Sequence, residues 1–277
     1  MKMMNGMQKL SLSVDYQKAG LVHTGPEAQL ALYLLDGDEV RPLILICPGG
    51  GYDHLSARES EPIARKMNAL GYQAAVLTYS LVPNRYPTQL LEVAAAVGLL
   101  RERAWDLKAD PEKIAVMGFS AGAHVAGSLG TCWEDELLVR VLGGTAKLYR
   151  PYAQILCYPV ITSGEYAHRG SFACILGDAP SEELLARVSL EKRVDEGCVP
   201  TFIWHTFADT AVPVENSLLM ASALRKAGVK TELHIFQNGK HGLALGTAET
   251  DDGSGSYLVP ECTVWPELMK TWLDGLS

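Results

Sequence analysis

Apolar and polar positions run along this chain in two rhythms. Short segments dominated by apolar residues, Leu43 to Cys47 (L-I-L-I-C), Gln73 to Tyr79, Ile114 to Met117, Ala153 to Tyr158 and Thr201 to Thr206, have the length of strands buried on both faces. Between them the spacing becomes helical. One such stretch runs from about Glu61 to Leu70, with Pro62 suited to a first turn and Gly71 to a stop. Others are an alanine-rich stretch from about Thr88 to Trp105, a small-residue run after Ser120, Pro180 to Val188, Val214 to Ala227 before Gly228, and a last helix from about Val264 to Leu273. Gln8 to Val14 and Ala28 to Leu35 alternate around the turn signals Gly20 and Gly25-Pro26, which predicts an antiparallel sheet edge; Lys230 to Phe236 alternates as a further strand. Strand–helix alternation of this kind predicts an α/β fold, a mostly parallel sheet with helices on both faces.

Three stretches fit neither rhythm. Thr131 to Tyr152 is irregular, and the interval 159–200, apart from its one predicted helix, reads as an insertion over the C-terminal ends of the strands. The run G-T-A-E-T-D-D-G-S-G-S-Y, Gly246 to Tyr257, is polar and glycine-rich and is expected to be a mobile surface loop. No Pro/Gly/Ser-rich linker, charge block or repeat divides the 277 residues, so a single domain spanning 1–277 is expected.

Composition narrows the partners. The net charge is −8 and the basic residues are scattered, which argues against nucleic acid and anionic membranes. The six cysteines show no C-x-x-C spacing and sit mostly in apolar runs, as buried thiols do. No run approaches membrane-spanning length, and M-K-M-M-N-G-M-Q-K at the start has no apolar leader core, so a cytoplasmic location is expected. A homo-oligomer stays open.

The candidate chemistry centres on Gly118-Phe119-Ser120-Ala121-Gly122, which joins an apolar strand to a helical run. A serine at the tip of such a turn has its hydroxyl exposed, and flanking glycines are needed where a Cβ would strike the neighbouring strand or helix. The helix aims its first amides at the same point, so the Ala121 N–H can stabilise an oxyanion. A serine hydroxyl needs a histidine base, oriented by a carboxylate. In a parallel sheet these groups belong just past the C-terminal ends of strands.

That rule sorts the seven histidines. His241, a few residues after the last strand and followed by Gly242, is the candidate base. His234 falls within a strand, His124 within a helix and His205 at the end of an apolar strand, where a hydrogen-bonded structural role fits better. His23, His54 and His168 fall in loops. Asp209, in the loop A-D-T-A-V-P after T-F-I-W-H-T, is the candidate acid, ahead of Asp178 and Asp195, neither of which follows a buried strand. The order Ser120, Asp209, His241 matches a known nucleophile-elbow order. Gly49-Gly50-Gly51 after the L-I-L-I-C strand lets backbone approach a carbonyl oxygen, which assigns the Gly50 and Gly51 amides beside that of Ala121. Tyr52, next in line, is a candidate substrate contact.

With C-P-G-G-G-Y, R-E-S-E-P-I-A-R (Arg58 to Arg65), Y-S-L-V-P, Y-P-T-Q-L and K-I-A-V-M-G-F-S-A-G, the chain resembles the α/β-hydrolase superfamily over nearly its whole length, and within it small bacterial acetylxylan and other carbohydrate esterases. It is also similar to hormone-sensitive-lipase-type esterases. It departs from them in having Pro48 before the glycines and Phe119 before the serine. The resemblance implies an α/β-hydrolase fold with about eight strands, and a serine carboxylesterase for short-chain, acetyl-type esters such as those of acetylated sugars. It implies a small-molecule ester substrate and no metal or organic cofactor. A peptidase or amidase, an acyltransferase and a non-catalytic binding protein on the same fold stay open as alternatives.

Overall fold

The computed structural model describes residues 8–276; the start of the polar N-terminal segment, 1–7, lies outside the described residues. In chain order its strands are β1 (Gln8–Ser11), β2 (Gln29–Tyr33), β3 (Arg41–Cys47), β4 (Gln73–Thr78), β5 (Ala109–Phe119), β6 (Gln154–Cys157), β7 (Thr201–Thr206) and β8 (Thr231–Phe236). The helices are α1 (Glu61–Ala69), α2 (Thr88–Glu102), α3 (Ala121–Cys132), α4 (Glu136–Leu142), α5 (Ala146–Tyr149), α6 (Arg169–Leu176), α7 (Glu182–Val188), α8 (Glu215–Lys226) and α9 (Trp265–Asp274).

The strands form one sheet in the order β1-β2-β4-β3-β5-β6-β7-β8. β1 and β2 are the antiparallel edge, β2 pairs antiparallel to β4, and every other neighbouring pair is parallel. Alternate side chains of each central strand feed separate cores, as the period of a pleated strand demands. Leu43, Leu45 and Cys47 of β3 pack with α2, α3 and α8 on one face, while Ile44 and Ile46 pack with Ile63 and Met67 of α1 and Trp265 and Met269 of α9 on the other. Burial on both faces is why these strands read as apolar runs rather than alternating ones.

The irregular stretch 131–152 contains the short helices α4 and α5, separated by Gly143 and Gly144, both at positive φ. Two helices of seven and four residues are too short for a period to stand out from sequence. Likewise the interval 159–200 carries α6 as well as the expected α7. The Gly246–Tyr257 segment is a surface turn built around its own acids: Asp251 accepts from the amides of Gly253, Gly255 and Tyr257, and Thr250 is fully buried. Among the described residues no helix is long and apolar enough to cross a membrane.

The turn between β5 and α3 is the tightest point of the fold. Ser120 sits at φ 53°, ψ −119°, a region L-residues seldom occupy. Its amide donates to the Cys157 carbonyl (3.0 Å) and its carbonyl accepts from Val160 N (3.1 Å), so the next parallel strand and the segment after it hold the strained residue. A Cβ on Gly122 would lie 2.1 Å from the Cys47 carbonyl oxygen and 2.3 Å from that of Pro48, and one on Gly118 would lie 2.2 Å from the Gly122 oxygen. These are backbone contacts that no rotamer change relieves. Gly122→Ala should therefore cost at least about 3 kcal/mol, seen as a fall in Tm of roughly 6 °C or more. A thermal melt within about 2 °C of the parent would contradict this packing.

Candidate active site

The elbow holds Ser120 at the C-terminal end of β5, with 7% of its surface exposed. Its Oγ lies 2.7 Å from His241 Nε2, and His241 Nδ1 lies 2.6 Å from Asp209 Oδ2. Side chains 121 and 32 residues apart in sequence thus form one hydrogen-bonded path from hydroxyl to carboxylate. The Asp209 carboxylate can only accept, so Nδ1 carries the proton in the neutral ring and Nε2 presents its lone pair to the serine.

Asp209 is buried in the loop between β7 and α8, where an unpaired carboxylate would be costly. Its Oδ1 accepts from the amides of Ala211 (2.9 Å) and Val212 (3.0 Å). Its Oδ2 faces His241 and also His205 Nε2, at 3.2 Å. Burial pushes this carboxyl up, but the hydrogen bonds from His205, His241 and the Val212 amide outweigh it and hold the group well below the usual carboxylate range. A depressed folded-state pKa means that the ionised form adds stability above the ordinary carboxylate pKa, lost only as pH falls through the lower folded value. Asp209 stays ionised through neutral and mildly acidic pH.

The loop bearing His241 is held from below. Arg58 Nη1 donates to the Gly242 carbonyl (2.9 Å), and its guanidinium lies 3.7 Å over the Tyr257 ring. Tyr158, at the end of β6, meets the His241 ring edge-to-face with centroids 5.1 Å apart. The Tyr158 hydroxyl accepts from Ala244 N (3.0 Å) and donates to Glu59 Oε1 (2.7 Å). Glu59 is itself buried, and its other oxygen accepts the Gly49 amide at 2.8 Å. One carboxylate therefore fastens both the glycine turn and the tyrosine beneath the histidine. Glu59 and Tyr158 escaped the sequence reading; Glu59's place in R-E-S-E-P-I-A-R, just after the glycine turn, was the available signal.

The glycine turn lies against the elbow: a Cβ on Gly49 would sit 3.0 Å from Ser120 Cβ. Gly50 is at φ 125° and Gly51 at φ 64°. Among the described residues the amides of Gly50, Gly51 and Ala121 make no hydrogen bond to another protein group, whereas that of Gly49 is occupied by Glu59. The Pro48 carbonyl is fixed by the Tyr79 hydroxyl at 2.6 Å.

Tyr52 does not have the place expected of it. At φ 70° the turn swings its ring into the core, leaving 2% exposed. Its hydroxyl lies 2.6 Å from His124 Nδ1, and His124 Nε2 donates to the Val188 carbonyl at 2.8 Å. The imidazole is thus locked as the acceptor of the tyrosine proton, and burial pushes its pKa down to about 4. Tyr52 has no free polar group to offer a substrate. The remaining candidates also separate. His54 is exposed beside Asp53, and His234 pairs with Glu232. Asp178 and Asp195 are exposed, Asp195 bonding the amide of Gly197. His168 lies half-buried near His241, pushed down by burial and by that neighbour.

Tyr52→Phe leaves the buried His124 Nδ1 without a donor, a loss of about 1–3 kcal/mol. A lower Tm with KM changed less than about twofold is the expected outcome. A large rise in KM at unchanged Tm would instead make Tyr52 a substrate contact.

Comparison with known proteins agrees with this architecture. A family model described as BD-FAE matches residues 30–224. That span includes Ser120 and Asp209 but stops before His241. The chain is 38% identical over 240 residues to an endo-1,4-beta-xylanase B of Butyrivibrio fibrisolvens, covering 82% of this chain and 37% of that protein. It is 28% identical over 255 residues to an acetylxylan esterase of Xylanibacter ruminicola, covering 88% and 50%. The chain thus spans half or less of the length of these two curated relatives. Two solved structures match end to end. An acetyl ester-xyloside bifunctional hydrolase from Caldicellulosiruptor lactoaceticus superposes with a TM-score of 0.83 at 37% identity, covering 97% of this chain and 96% of that one. The carboxylesterase Cest-2923 from Lactobacillus plantarum gives 0.79 at 30% identity, covering 100% and 98%.

Proposed function

The chain belongs to the BD-FAE family, within the α/β-hydrolase fold, and on that premise we propose that it is a serine carboxylesterase acting on short-chain, acetyl-type esters of sugars or xylo-oligosaccharides. The observation that carries the reading is the unbroken path Ser120 Oγ to His241 Nε2 to Asp209 Oδ2, at 2.7 Å and 2.6 Å, next to three unengaged amides. Relatives named for acetylxylan and acetyl ester-xyloside chemistry support the acyl group and the sugar.

In this mechanism His241 Nε2 takes the Ser120 proton as Oγ attacks the ester carbonyl. The Ala121, Gly50 and Gly51 amides receive the negative oxygen of the tetrahedral intermediate. The imidazolium, stabilised by ionised Asp209, then protonates the departing sugar alkoxide and leaves an acetyl-Ser120 ester. Water, deprotonated by His241, attacks that ester, and collapse releases the acid and restores the serine. Asp209, held ionised well below its ordinary carboxylate range, stays charged through each step.

The test is turnover of p-nitrophenyl acetate and of acetylated xylo-oligosaccharide by the protein and by Ser120→Ala, with nitrophenol and acetate both followed. Both reactions are expected in the parent and loss of about 10³-fold or more in the variant. Nitrophenyl turnover without acetate from the oligosaccharide would keep the esterase and discard the sugar. No turnover of either would favour a peptide or amide substrate, another acyl acceptor or a binding role. Along a p-nitrophenyl ester series, activity should drop beyond about four carbons by roughly fourfold or more per methylene, the equivalent of about 0.8 kcal/mol each. Undiminished turnover of long chains would contradict the short-acyl assignment.

A further inference from the structure

The carboxylate that faces His241 is shared with a second imidazole. His205, the fifth residue of β7, is completely buried, and its Nε2 lies 3.2 Å from Asp209 Oδ2 and 3.1 Å from the Val212 carbonyl. A carbonyl can only accept, so Nε2 carries a proton and addresses both oxygens as a three-centre donor. In the neutral ring Nδ1 is then the acceptor, and the Ser217 hydroxyl of α8 lies 2.8 Å from it. Ser217 is buried as well, so the ring is held from both sides in one orientation.

We propose that His205 is a positioning residue for the reaction, a fixed donor that pins Asp209 Oδ2 in the place where it orients His241. The proposal rests on the proposed function above, in which Asp209 orients the base. Without the His205 proton, Oδ2 keeps only His241 as partner, and the carboxylate is free to turn about its Oδ1 contacts with Ala211 and Val212. The histidine would lose its fixed aim at Ser120. The negative charge would also be less shared, so that the His241 proton is held more tightly whenever the pair does meet. The other titratable groups facing this pair are His168, from the segment after β6, and Glu59, through the Tyr158 hydroxyl. Neither contacts Asp209.

The experiment compares His205→Leu, which removes the donor, with His205→Gln, whose amide N–H has similar reach, in p-nitrophenyl acetate hydrolysis across pH. In His205→Leu kcat should fall about tenfold to a hundredfold with KM little changed. The acid limb of kcat/KM should move up by about half a pH unit or more. His205→Gln should recover most of the rate and return the limb toward the parent position. A His205→Leu enzyme within about threefold of the parent would overturn the proposal. So would a slow one whose acid limb is unmoved and which Gln fails to rescue, because mere packing would behave that way. Should the leucine variant not fold, nitrogen spectra of the parent protein with ¹⁵N-labelled histidine decide: a protonated Nε2 on His205 sustains the proposal, and a bare one overturns it. Activity surviving in Ser120→Ala would instead strike the proposed function itself, whatever His205 does.

Discussion

The arrangement depends on how one buried carboxylate is kept charged. Asp209 has four donors around its two oxygens: two amides of its own loop on Oδ1, and imidazoles from β7 and from the loop after β8 on Oδ2. Without them, burial would neutralise the acid, and a neutral carboxyl would neither fix the His241 tautomer nor balance its charge. The loop amides come at no cost in extra structure, because a chain leaving a strand must turn before the next helix. The imidazoles require β7, β8 and α8 to stand in one fixed relation, and the parallel sheet supplies it.

A second buried carboxylate organises the other half of the site. Glu59 bonds the Gly49 amide with one oxygen and the Tyr158 hydroxyl with the other, and that hydroxyl in turn receives Ala244 N. The glycine turn after β3, the end of β6 and the His241 loop are tied through three hydrogen bonds. Displacement of Glu59 would loosen the unengaged amides and the histidine together. Gly49 has its amide turned to Glu59, which leaves those of Gly50 and Gly51 without a protein partner among the described residues.

Much of this was legible in the residue order for physical reasons. Strands buried on both faces announce themselves as apolar runs, and a parallel sheet restricts functional groups to a few strand ends, which is why Ser120, Asp209 and His241 could be named and lie within hydrogen-bond distance of one another. His205 was legible as a hydrogen-bonded structural residue, but its partner was not, since that depends on the Asp209 loop folding back over the strand that bears it. Tyr52 points into the core rather than to a substrate, because position beside the glycine turn does not fix the direction in which a left-handed residue sends its side chain. The short helices α4, α5 and α6 lack the length for a period to emerge. The Gly246–Tyr257 turn looked featureless because its order comes from carboxylates bonding their own backbone rather than from apolar spacing.

The proposed mechanism requires the strained serine of the β5–α3 turn to become covalently acylated during turnover. The direct measurement is to mix the protein with p-nitrophenyl acetate, quench it in acid within the first turnovers, and map the modified peptide by mass spectrometry. One acetyl group on Ser120, lost again on longer incubation before the quench, is the expected result. Sustained turnover with Ser120 unmodified and the acetyl group on another side chain would contradict the account.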